Sequence, residues 1–169
     1  QTLALSRIEN DTLPLSVCRQ DILPHVRRLM NSFTCYAREK EITVDLDLPG
    51  ERLVVAVDID KFGKILSNLV SNALKYTPEG GSITIDAEAP ATLCIRDTGI
   101  GITAEDLPRI FDRGYTGRNG RTYRQASGIG LYLCRRICRD LGHTITASSA
   151  AGEGTVLRLD LSRRTGPLE

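Results

Sequence analysis

The sequence predicts an α+β domain in which a mixed, mostly antiparallel sheet is covered on one face by about three helices. Three observations support this two-layer sandwich. Hydrophobic residues make up 41% and charged residues 25% of the 169 residues, as in an ordinary folded domain. Helical patterns are grouped between pairs of strand patterns, whereas a doubly wound fold requires regular alternation of strands and helices. The chain has no internal repeat of about 20–50 residues, which excludes a solenoid.

The first part of the chain contains a helical stub, a helix and two strands. Residues 1–14 resemble the end of a longer helix followed by a linker. Apolar residues then recur at helical spacing over residues 21–37, which predicts an amphipathic helix with Pro24 in its first turn. Residues 42–48 alternate between apolar and polar side chains, as in a half-buried strand, and residues 53–57 form a wholly apolar strand.

A second helix is predicted over residues 58–76, and either of two aspartates near its start can cap it. Most of its circumference is apolar, but Asn68, Asn72 and Lys75 recur at spacings of four and three and form one polar stripe, with Tyr76 beside it. Amides and an ammonium on a buried helix need matching groups. Amide oxygens suit a hard cation and a lysine suits phosphate. The structural alternative is that the amides cap neighbouring strands and the lysine reaches solvent.

The rest of the chain contains four strands, two helices and a long loop. The strands are predicted in two pairs, each joined by a turn rich in Gly, Pro or Ala. In chain order the predicted segments are strands over 82–88 and 91–97, a short helix ending near Phe111, a mobile loop over 112–127, a helix over 128–141, and strands over 143–149 and 155–161.

An acidic residue leads into a glycine turn at the end of the strand over 91–97. Gly99 and Gly101 allow a backbone to come close to a ligand, and the Asp97 carboxylate can accept a hydrogen bond from an exocyclic amine such as that of adenine. The alternative is a turn in which Asp97 only caps the next helix. A dinucleotide-binding fingerprint is matched formally by these glycines, but Arg121 stands where that motif requires an acidic residue.

Two further glycine segments are candidates for binding anions. Residues 128–131 open a helix, whose first N–H groups and positive dipole end favour a phosphate, and residues 152–155 open the last strand. The loop between residues 112 and 127 carries cations that can close over phosphate, although for any single one a solvated position is the simpler interpretation. These cations are Arg113, Arg118, Arg121 and Arg124.

Composition excludes several other classes of protein. The net charge of +1 and the shortage of aromatic residues disfavour a nucleic-acid partner. No apolar run reaches the length of a membrane span, so we expect a cytoplasmic domain. P-loop and HExxH motifs are absent, and His25 and His143 are expected to be structural. The cysteines are expected to be buried, reduced thiols: Cys18, Cys35, Cys94, Cys134 and Cys138.

The order of these motifs resembles the catalytic ATP-binding domain of bacterial sensor histidine kinases, in the GHKL superfamily that also contains DNA gyrase. The resemblance covers about residues 15–161, and the segments 68–78 and 127–133 make the probability of chance agreement very small. The segment 111–121 further resembles the subgroup that works beside peptide-antibiotic ABC transporters. The motifs are Asn68-x-x-x-Asn72-x-x-Lys75-Tyr76, Asp97-x-Gly99-x-Gly101, Phe111, Gly128-x-Gly130-Leu131 and Gly152-x-Gly154-Thr155.

The resemblance implies a Bergerat-type fold with a flexible ATP lid, and Mg²⁺ and ATP as ligands. The implied catalytic residues are Asn72, which supplies an oxygen to Mg²⁺, Asn68 in the outer shell of the metal, and Lys75 on the phosphates. Asp97 would accept a hydrogen bond from the adenine amine. The rest of the ATP site would be lined by Tyr76, Gly99, Gly101, Ile102, Phe111, Gly128, Gly130, Leu131 and Thr155.

The resemblance also implies partners outside this chain. Residues 1–14 would end a dimerisation helix, 15–162 would form the kinase domain and 163–169 a tail. No histidine precedes residue 15, so the acceptor histidine is expected on a dimerisation domain outside these residues. The full-length protein would be a membrane-associated homodimer that supplies phosphoryl groups to a response regulator. Membership of the subgroup would place it beside an ABC transporter.

One difference from the ATPases of the superfamily bears on mechanism. Those enzymes activate water with a Glu at the position that Asn68 holds here, and an amide is a poor general base. Slow hydrolysis and transfer to a protein acceptor are therefore expected. Thr116 replaces an arginine that reaches the γ-phosphate in many relatives, and Arg118 or Arg121 can substitute. The alternatives are a serine kinase of the anti-sigma-factor type and a nucleotide-binding interaction module without transfer activity.

Overall fold

The computed structural model describes residues 15–113 and 130–162. These residues form seven strands, four α-helices and one short 3-10 helix at Leu107–Arg109. The strands and α-helices, in chain order, are β1 (Cys18–Asp21), α1 (Leu23–Ser32), α2 (Thr34–Glu39), β2 (Thr43–Asp47), β3 (Val54–Val57), α3 (Ile59–Tyr76), β4 (Ser82–Glu88), β5 (Thr92–Asp97), α4 (Gly130–Leu141), β6 (Thr144–Ser149) and β7 (Thr155–Asp160).

Five strands form the main sheet in the order β2-β4-β5-β7-β6. The pair β2-β4 is parallel and the other three pairs are antiparallel, so the predicted mixed, mostly antiparallel sheet is confirmed. The register places Asp97 opposite Thr155 at one end of the central pair β5-β7. Two segments that are far apart in sequence therefore meet at one edge of the sheet.

The helices α1, α3 and α4 lie on one face of this sheet, and α3 packs between the other two. The apolar side of α3 buries Phe62, Ile65 and Leu69 against sheet residues such as Ile85 and Leu93, all of which are at most 1% exposed. Burial of each such side chain contributes about 1.5–3 kcal/mol, which makes this layer the main source of stability. The two-layer prediction is thus confirmed.

The opposite face of the sheet is polar and carries an ion-pair network. Arg96 contacts Asp86 at 2.6 Å and Glu88 at 2.9 Å, and Arg158 lies 3.8 Å from Glu88. These side chains cover Cys94, and burial raises the pKa of its thiol to about 11. Successive side chains of each strand point to opposite faces of the sheet, so one face forms the apolar core and the other a charged outer surface.

The prediction of a single helix over residues 21–37 is wrong in one respect, because the helical segment is interrupted at Phe33. The Ser32 hydroxyl donates to the Leu29 carbonyl at 2.6 Å, and the Phe33 N–H instead donates to Met30 O at 3.1 Å. A hydroxyl that competes for a helical carbonyl weakens the regular hydrogen-bond pattern. Two helices, α1 and α2, result, and α2 packs beside β2.

A two-stranded sheet, β1-β3, was not predicted, because Cys18–Asp21 lacks an alternating apolar pattern.

The expectation that all five cysteines are buried is wrong for two of them. Cys18 lies on this short edge strand and Cys35 on the outer side of α2, and both are exposed, whereas the other three cysteines are buried as predicted. The short helix predicted before Phe111 is a single 3-10 turn.

Several predicted features fall outside the described residues. They are the helical stub over 1–14, the tail over 163–169 and most of the loop over 112–127, the predicted ATP lid. Within 15–113 and 130–162, no helix combines the length and apolar character that a membrane crossing requires.

Both ends of α3 are fixed by side chains. At its start Asp58, which is 6% exposed, accepts from the backbone N–H groups of Asp60 and Lys61 through Oδ1 and from that of Ser16 through Oδ2, at 2.9–3.2 Å. The structure thus selects Asp58 as the cap. At the other end Lys40 Nζ donates to the carbonyls of residues 74 and 75 at 2.5 and 3.1 Å. Such contacts satisfy backbone groups that a helix leaves without partners.

We expect Asp58→Ala to lower the free energy of unfolding by about 2 kcal/mol, because it removes a helix cap and the link to Ser16 together. Urea denaturation followed by circular dichroism measures this change. The matched control is Asp60→Asn in the same turn, whose side chain is exposed and should cost less than about 0.5 kcal/mol. Equal effects of the two substitutions would contradict the role of Asp58.

Candidate functional site

The polar stripe of α3 lies along a half-buried side of the helix. Asn68, Asn72, Lys75 and Tyr76 are each partly exposed, while the apolar residues between them are buried. The helix therefore holds these side chains in place through its opposite, apolar side. Lys40 secures the last turn, from which Lys75 projects. Sequence patterns gave no indication of the part played by Lys40, since its partners are backbone carbonyls.

Asn68 lies where the start of α4 approaches α3. A Cβ atom added at Gly130 would stand 3.4 Å from Asn68 Oδ1, an ordinary van der Waals contact. The Asn68 amide also shares a hydrogen bond with the thiol of Cys134, one turn further along α4. Burial raises the pKa of this thiol to about 12, so it stays protonated at neutral pH. The first turn of α4 and the middle of α3 thus meet at Asn68.

Asp97 ends β5 and organises the turn after this strand. Its Oδ1 accepts hydrogen bonds from the backbone N–H groups of Gly99 at 2.8 Å and Thr155 at 3.2 Å. Burial raises the pKa of the Asp97 carboxyl, and these two hydrogen bonds oppose the increase. Both bonds use Oδ1, which leaves Oδ2 as the oxygen that can accept from a ligand. The turn-capping role and the ligand-binding role are therefore compatible.

The turn after Asp97 is joined directly to the end of α3. The Ile100 N–H donates to Tyr76 O at 3.1 Å, and a Cβ atom at Gly99 would stand only 2.6 Å from the same carbonyl. Any side chain at residue 99 would push the two segments apart. The polar stripe and the carboxylate, which are separate motifs in the sequence, consequently form one site.

The glycine turn before β7 also approaches this site closely. Gly154 has φ +79°, and a Cβ atom there would overlap Asp97 O. Gly101, with φ +74°, stands equally close to the carbonyl of Ala150. Both positions combine a left-handed backbone with close packing, and only glycine satisfies both conditions.

Ser149 is a site residue that the sequence did not reveal. Its hydroxyl accepts from the Ile102 N–H at 2.8 Å, donates to Gly154 O at 2.6 Å and lies 2.8 Å from Thr155 Oγ1. It therefore connects the turn after β5 with the turn before β7. A serine at the end of a strand and five residues before a glycine is a common pattern, which explains why it carried no signal.

The structure brings most of the predicted site residues into one arrangement. Contacts join these residues in two groups, which the helix α3 connects: Tyr76, Asp97, Gly99, Gly101, Ile102 and Thr155 in one, and Asn68 with Gly130 in the other. Asn72 and Lys75 lie on α3 between or beside them. Leu131 follows Gly130 in α4 and packs against the core. Phe111 has different contacts, with the guanidinium of Arg135 lying 5.3 Å from its ring centre. Gly128 and the loop arginines Arg118, Arg121 and Arg124 lie outside the described residues.

The chemistry of these groups fits a magnesium nucleotide. Asn68 and Asn72 offer amide oxygens, which are suitable ligands for a hard cation, and Lys75 offers a charge for phosphate. The glycines at 99, 101 and 154 let the turns around Asp97 pack directly on neighbouring carbonyls, which holds this carboxylate and Thr155 in place. The described site residues therefore include groups suited to each part of such a ligand.

A family model for histidine kinase-, DNA gyrase B- and HSP90-like ATPases matches residues 57–165, well over half of the chain. The chain belongs to this family. The match includes α3, the Asp97 turn and α4, so the elements that build the site are those that the family shares. The domain is accordingly an ATP-binding domain of the type found in sensor histidine kinases, as the motifs predicted.

Relatives with known names support the same assignment. Sensor histidine kinase WalK of Bacillus subtilis is 35% identical over 130 residues, which cover 73% of this chain and 21% of WalK. Sensor histidine kinase TmoS of Ectopseudomonas mendocina is 32% identical over 164 residues, 94% of this chain and 17% of TmoS. The chain thus spans about a fifth of the length of these relatives. They favour the histidine kinase interpretation over a serine kinase of the anti-sigma-factor type, but they do not confirm the peptide-antibiotic subgroup.

The fold also matches that of solved kinases. The catalytic domain of histidine kinase ThkA superposes with a TM-score of 0.78 at 24% identity, covering 88% of this chain and 97% of that domain. Full-length ShkA in complex with AMPPNP gives a TM-score of 0.81 at 22% identity, covering 98% of this chain and 35% of ShkA. These likenesses confirm the predicted fold.

Gly154→Ala should destabilise the domain by about 2 kcal/mol more than Gly152→Ala. The two glycines have nearly equal φ angles, +79° and +81°, so both substitutions carry the same left-handed strain. Only at Gly154 does the new Cβ atom meet a carbonyl, that of Asp97, whereas nothing lies within 4 Å at Gly152. Thermal and urea unfolding of the two variants test this difference, and equal losses would show that the close approach is unimportant.

Asp97→Asn should leave the free energy of unfolding at pH 7 equal to or higher than that of the unaltered domain. Burial raises the pKa of Asp97 in the folded state, so its contribution to stability is present at low pH and is lost as the pH rises through that pKa. An asparagine keeps the Oδ1 acceptor and carries no charge. Urea titrations between pH 4 and 8 should show the stability difference growing with pH, and a difference of the opposite sign would exclude this account.

Proposed function

We propose that this domain binds Mg·ATP and donates the γ-phosphoryl group to a histidine on a dimerisation domain outside this chain. The observation that supports the proposal most directly is the junction of two motifs. The hydrogen bond from Ile100 N–H to Tyr76 O joins the polar stripe of α3, whose amides and lysine suit a cation and phosphate, to the turn that carries the half-buried Asp97 carboxylate. A nucleotide has complementary groups at its two ends, a polyphosphate and a base with an amine.

The base is assigned to the Asp97 end of the site. Asp97 Oδ1 is occupied by two backbone N–H groups, so Oδ2 accepts from the exocyclic amine of adenine. Guanine has a carbonyl at the equivalent position, which would face a carboxylate without a proton between them. Gly99 and Gly101 let this turn pack directly on the carbonyls of Tyr76 and Ala150. Ile102 and Thr155 lie beside the turn. The domain therefore selects adenine over guanine.

The phosphates are assigned to the other end, between α3 and α4. Asn72 supplies an amide oxygen to Mg²⁺, Asn68 acts in the outer shell of the metal, and Lys75 pairs with a phosphate oxygen. Gly130 opens α4 beside Asn68, where N–H groups and the helix dipole favour an anion. When bound, Mg²⁺ neutralises charge on the phosphates.

The absence of a carboxylate at residue 68 directs the reaction toward transfer. An amide does not remove a proton from water, so hydrolysis is slow and ATP persists until an acceptor arrives. In the transfer, the bond between the γ-phosphorus and the bridging oxygen breaks, a bond from phosphorus to an imidazole nitrogen forms, and ADP leaves. This domain contributes positioning and charge stabilisation to that step.

Partners are inferred from the relatives and belong to the whole protein. ThkA has been solved in complex with the response regulator TrrA. We propose that the histidine phosphorylated by this domain likewise supplies a response regulator. The full-length protein would be a homodimer held together by its dimerisation helices and attached to a membrane. The subgroup resemblance adds that it would work beside an ABC transporter.

Calorimetric titration with AMPPNP, with and without Mg²⁺, tests the nucleotide site. Asn72→Ala should weaken binding in Mg²⁺ by about tenfold or more and make affinity independent of Mg²⁺, because the metal loses a ligand. Alanine suits a helix, so the fold should persist. Ser71→Ala, on the exposed side of the same turn, is the matched control and should behave like the unaltered domain. Retained Mg²⁺ dependence would remove Asn72 from the metal site.

Two further measurements separate the competing functions. GTP should bind much more weakly than ATP, and Asp97→Asn should remove that preference. In the full-length protein, labelled ATP should yield an acid-labile, alkali-stable phosphohistidine that is lost on Asn72→Ala. Binding without phosphohistidine would favour an interaction module, and acid-stable phosphoserine on a partner would favour the serine kinase.

A further inference from the structure

The side chain of Asn68 has two chemically different ends, and each end meets a different part of α4. An amide oxygen accepts hydrogen bonds and attracts cations, whereas an amide NH₂ group donates hydrogen bonds and suits anions. Asn68 Oδ1 lies on the side of Gly130, since a Cβ atom added to that glycine would stand 3.4 Å from this oxygen. The oxygen is therefore directed toward the first turn of α4, where the phosphates are assigned.

The nitrogen end of the same amide meets the thiol of Cys134. The hydrogen bond between Asn68 and this thiol, taken by itself, lowers the pKa of the thiol, although burial has the larger and opposite effect. Only a donated N–H favours a thiolate in this way, so the Asn68 NH₂ group is the donor and the sulfur is the acceptor. The two ends of the amide thus point in different directions.

The surroundings of Cys134 select this arrangement. Its side chain is 0% exposed, and its Sγ donates to the carbonyl oxygen of Ile65 at 3.8 Å. Burial raises the pKa of the thiol to about 12, so the donated proton is present at neutral pH. With its proton directed at Ile65, the sulfur offers only lone pairs to Asn68. An N–H can donate to these lone pairs, whereas Asn68 Oδ1 would face them without a proton between.

We propose that Cys134 is a positioning residue that fixes the orientation of the Asn68 amide, with the nitrogen toward the sulfur and the oxygen toward the nucleotide site. The inference rests on the proposed function, in which Asn68 acts in the outer shell of Mg²⁺. A flipped amide would turn its NH₂ group to the metal, and the protons of that group would oppose a cation. Cys134 therefore supports metal binding without touching the metal or the nucleotide.

Packing alone is the alternative role for a buried cysteine. Cys138 represents that role, because it lies one turn further along α4 and is 1% exposed. Burial alone raises the pKa of its thiol to about 12, with no contribution from Asn68. Cys134 and Cys138 thus share the same side chain and nearly the same burial, and they differ in their contact with Asn68. A comparison of the two separates positioning from packing.

Hydrogen exchange of the Asn68 side-chain NH₂ group, followed by NMR in the ligand-free domain, tests the orientation. A proton held by a buried acceptor exchanges slowly with water, so Cys134→Ala should increase the exchange rate by about tenfold. Cys134→Ser should restore most of the protection, since a hydroxyl also donates to a carbonyl and accepts from an N–H. Cys138→Ala is the matched control and should leave the exchange rate within about twofold.

Calorimetric titration with AMPPNP tests the consequence for the nucleotide site. Cys134→Ala should weaken binding in Mg²⁺ by about fivefold and leave binding without Mg²⁺ within about twofold. Cys138→Ala should behave like the unaltered domain, and Cys134→Ser should bind nearly as well. In an Asn68→Ala background, Cys134→Ala should cause no further loss, because the amide that it orients is absent.

Equal exchange rates in the Cys134→Ala and Cys138→Ala variants would overturn the inference. Equal losses of AMPPNP affinity in these two variants would also overturn it, as would a full additional loss when Cys134→Ala is combined with Asn68→Ala. The exchange measurement uses no nucleotide. Failure of the proposed function, seen as no binding of AMPPNP to the unaltered domain, is therefore distinguishable from failure of this inference.

Discussion

The site depends on the close contact between the end of α3 and the turn after β5. One hydrogen bond, from Ile100 N–H to Tyr76 O, joins these segments, and it forms only because residue 99 has no side chain. The contact fixes the distance between the polar stripe of α3 and the Asp97 carboxylate. Every proposed property of the site, from metal binding to base selection, assumes that distance. The main contribution of the fold to the site is therefore this fixed distance between the stripe and the carboxylate, and not any single reactive group.

Asp97 shows how function and stability oppose each other at this contact. Burial raises the pKa of its carboxyl, so keeping it ionised near neutral pH costs stability. Two backbone N–H groups offset part of that cost and also hold the turn in place. A half-buried acceptor with a fixed orientation suits recognition of an exocyclic amine. The destabilising group is therefore retained where the proposed ligand needs it, which is common at binding sites.

The remaining structure serves to hold α3 and α4 in position. Asp58 fixes the start of α3 and Lys40 fixes its end, while the packed layer of helices on the sheet holds its apolar side. α4 contributes through its first residue, Gly130, which meets Asn68.

The sequence by itself determined the strands of the main sheet, the long helix with its stripe, the family and the principal site motifs, because these depend on local periodicity and residue chemistry. Tertiary structure decided what local patterns do not encode. The pairing of β1 with β3, the interruption at Phe33 and the exposure of Cys18 all depend on partners that lie elsewhere in space. Lys40 and Ser149 act on backbone atoms across the fold, and a hydrogen bond between residues distant in sequence leaves no pattern in either segment.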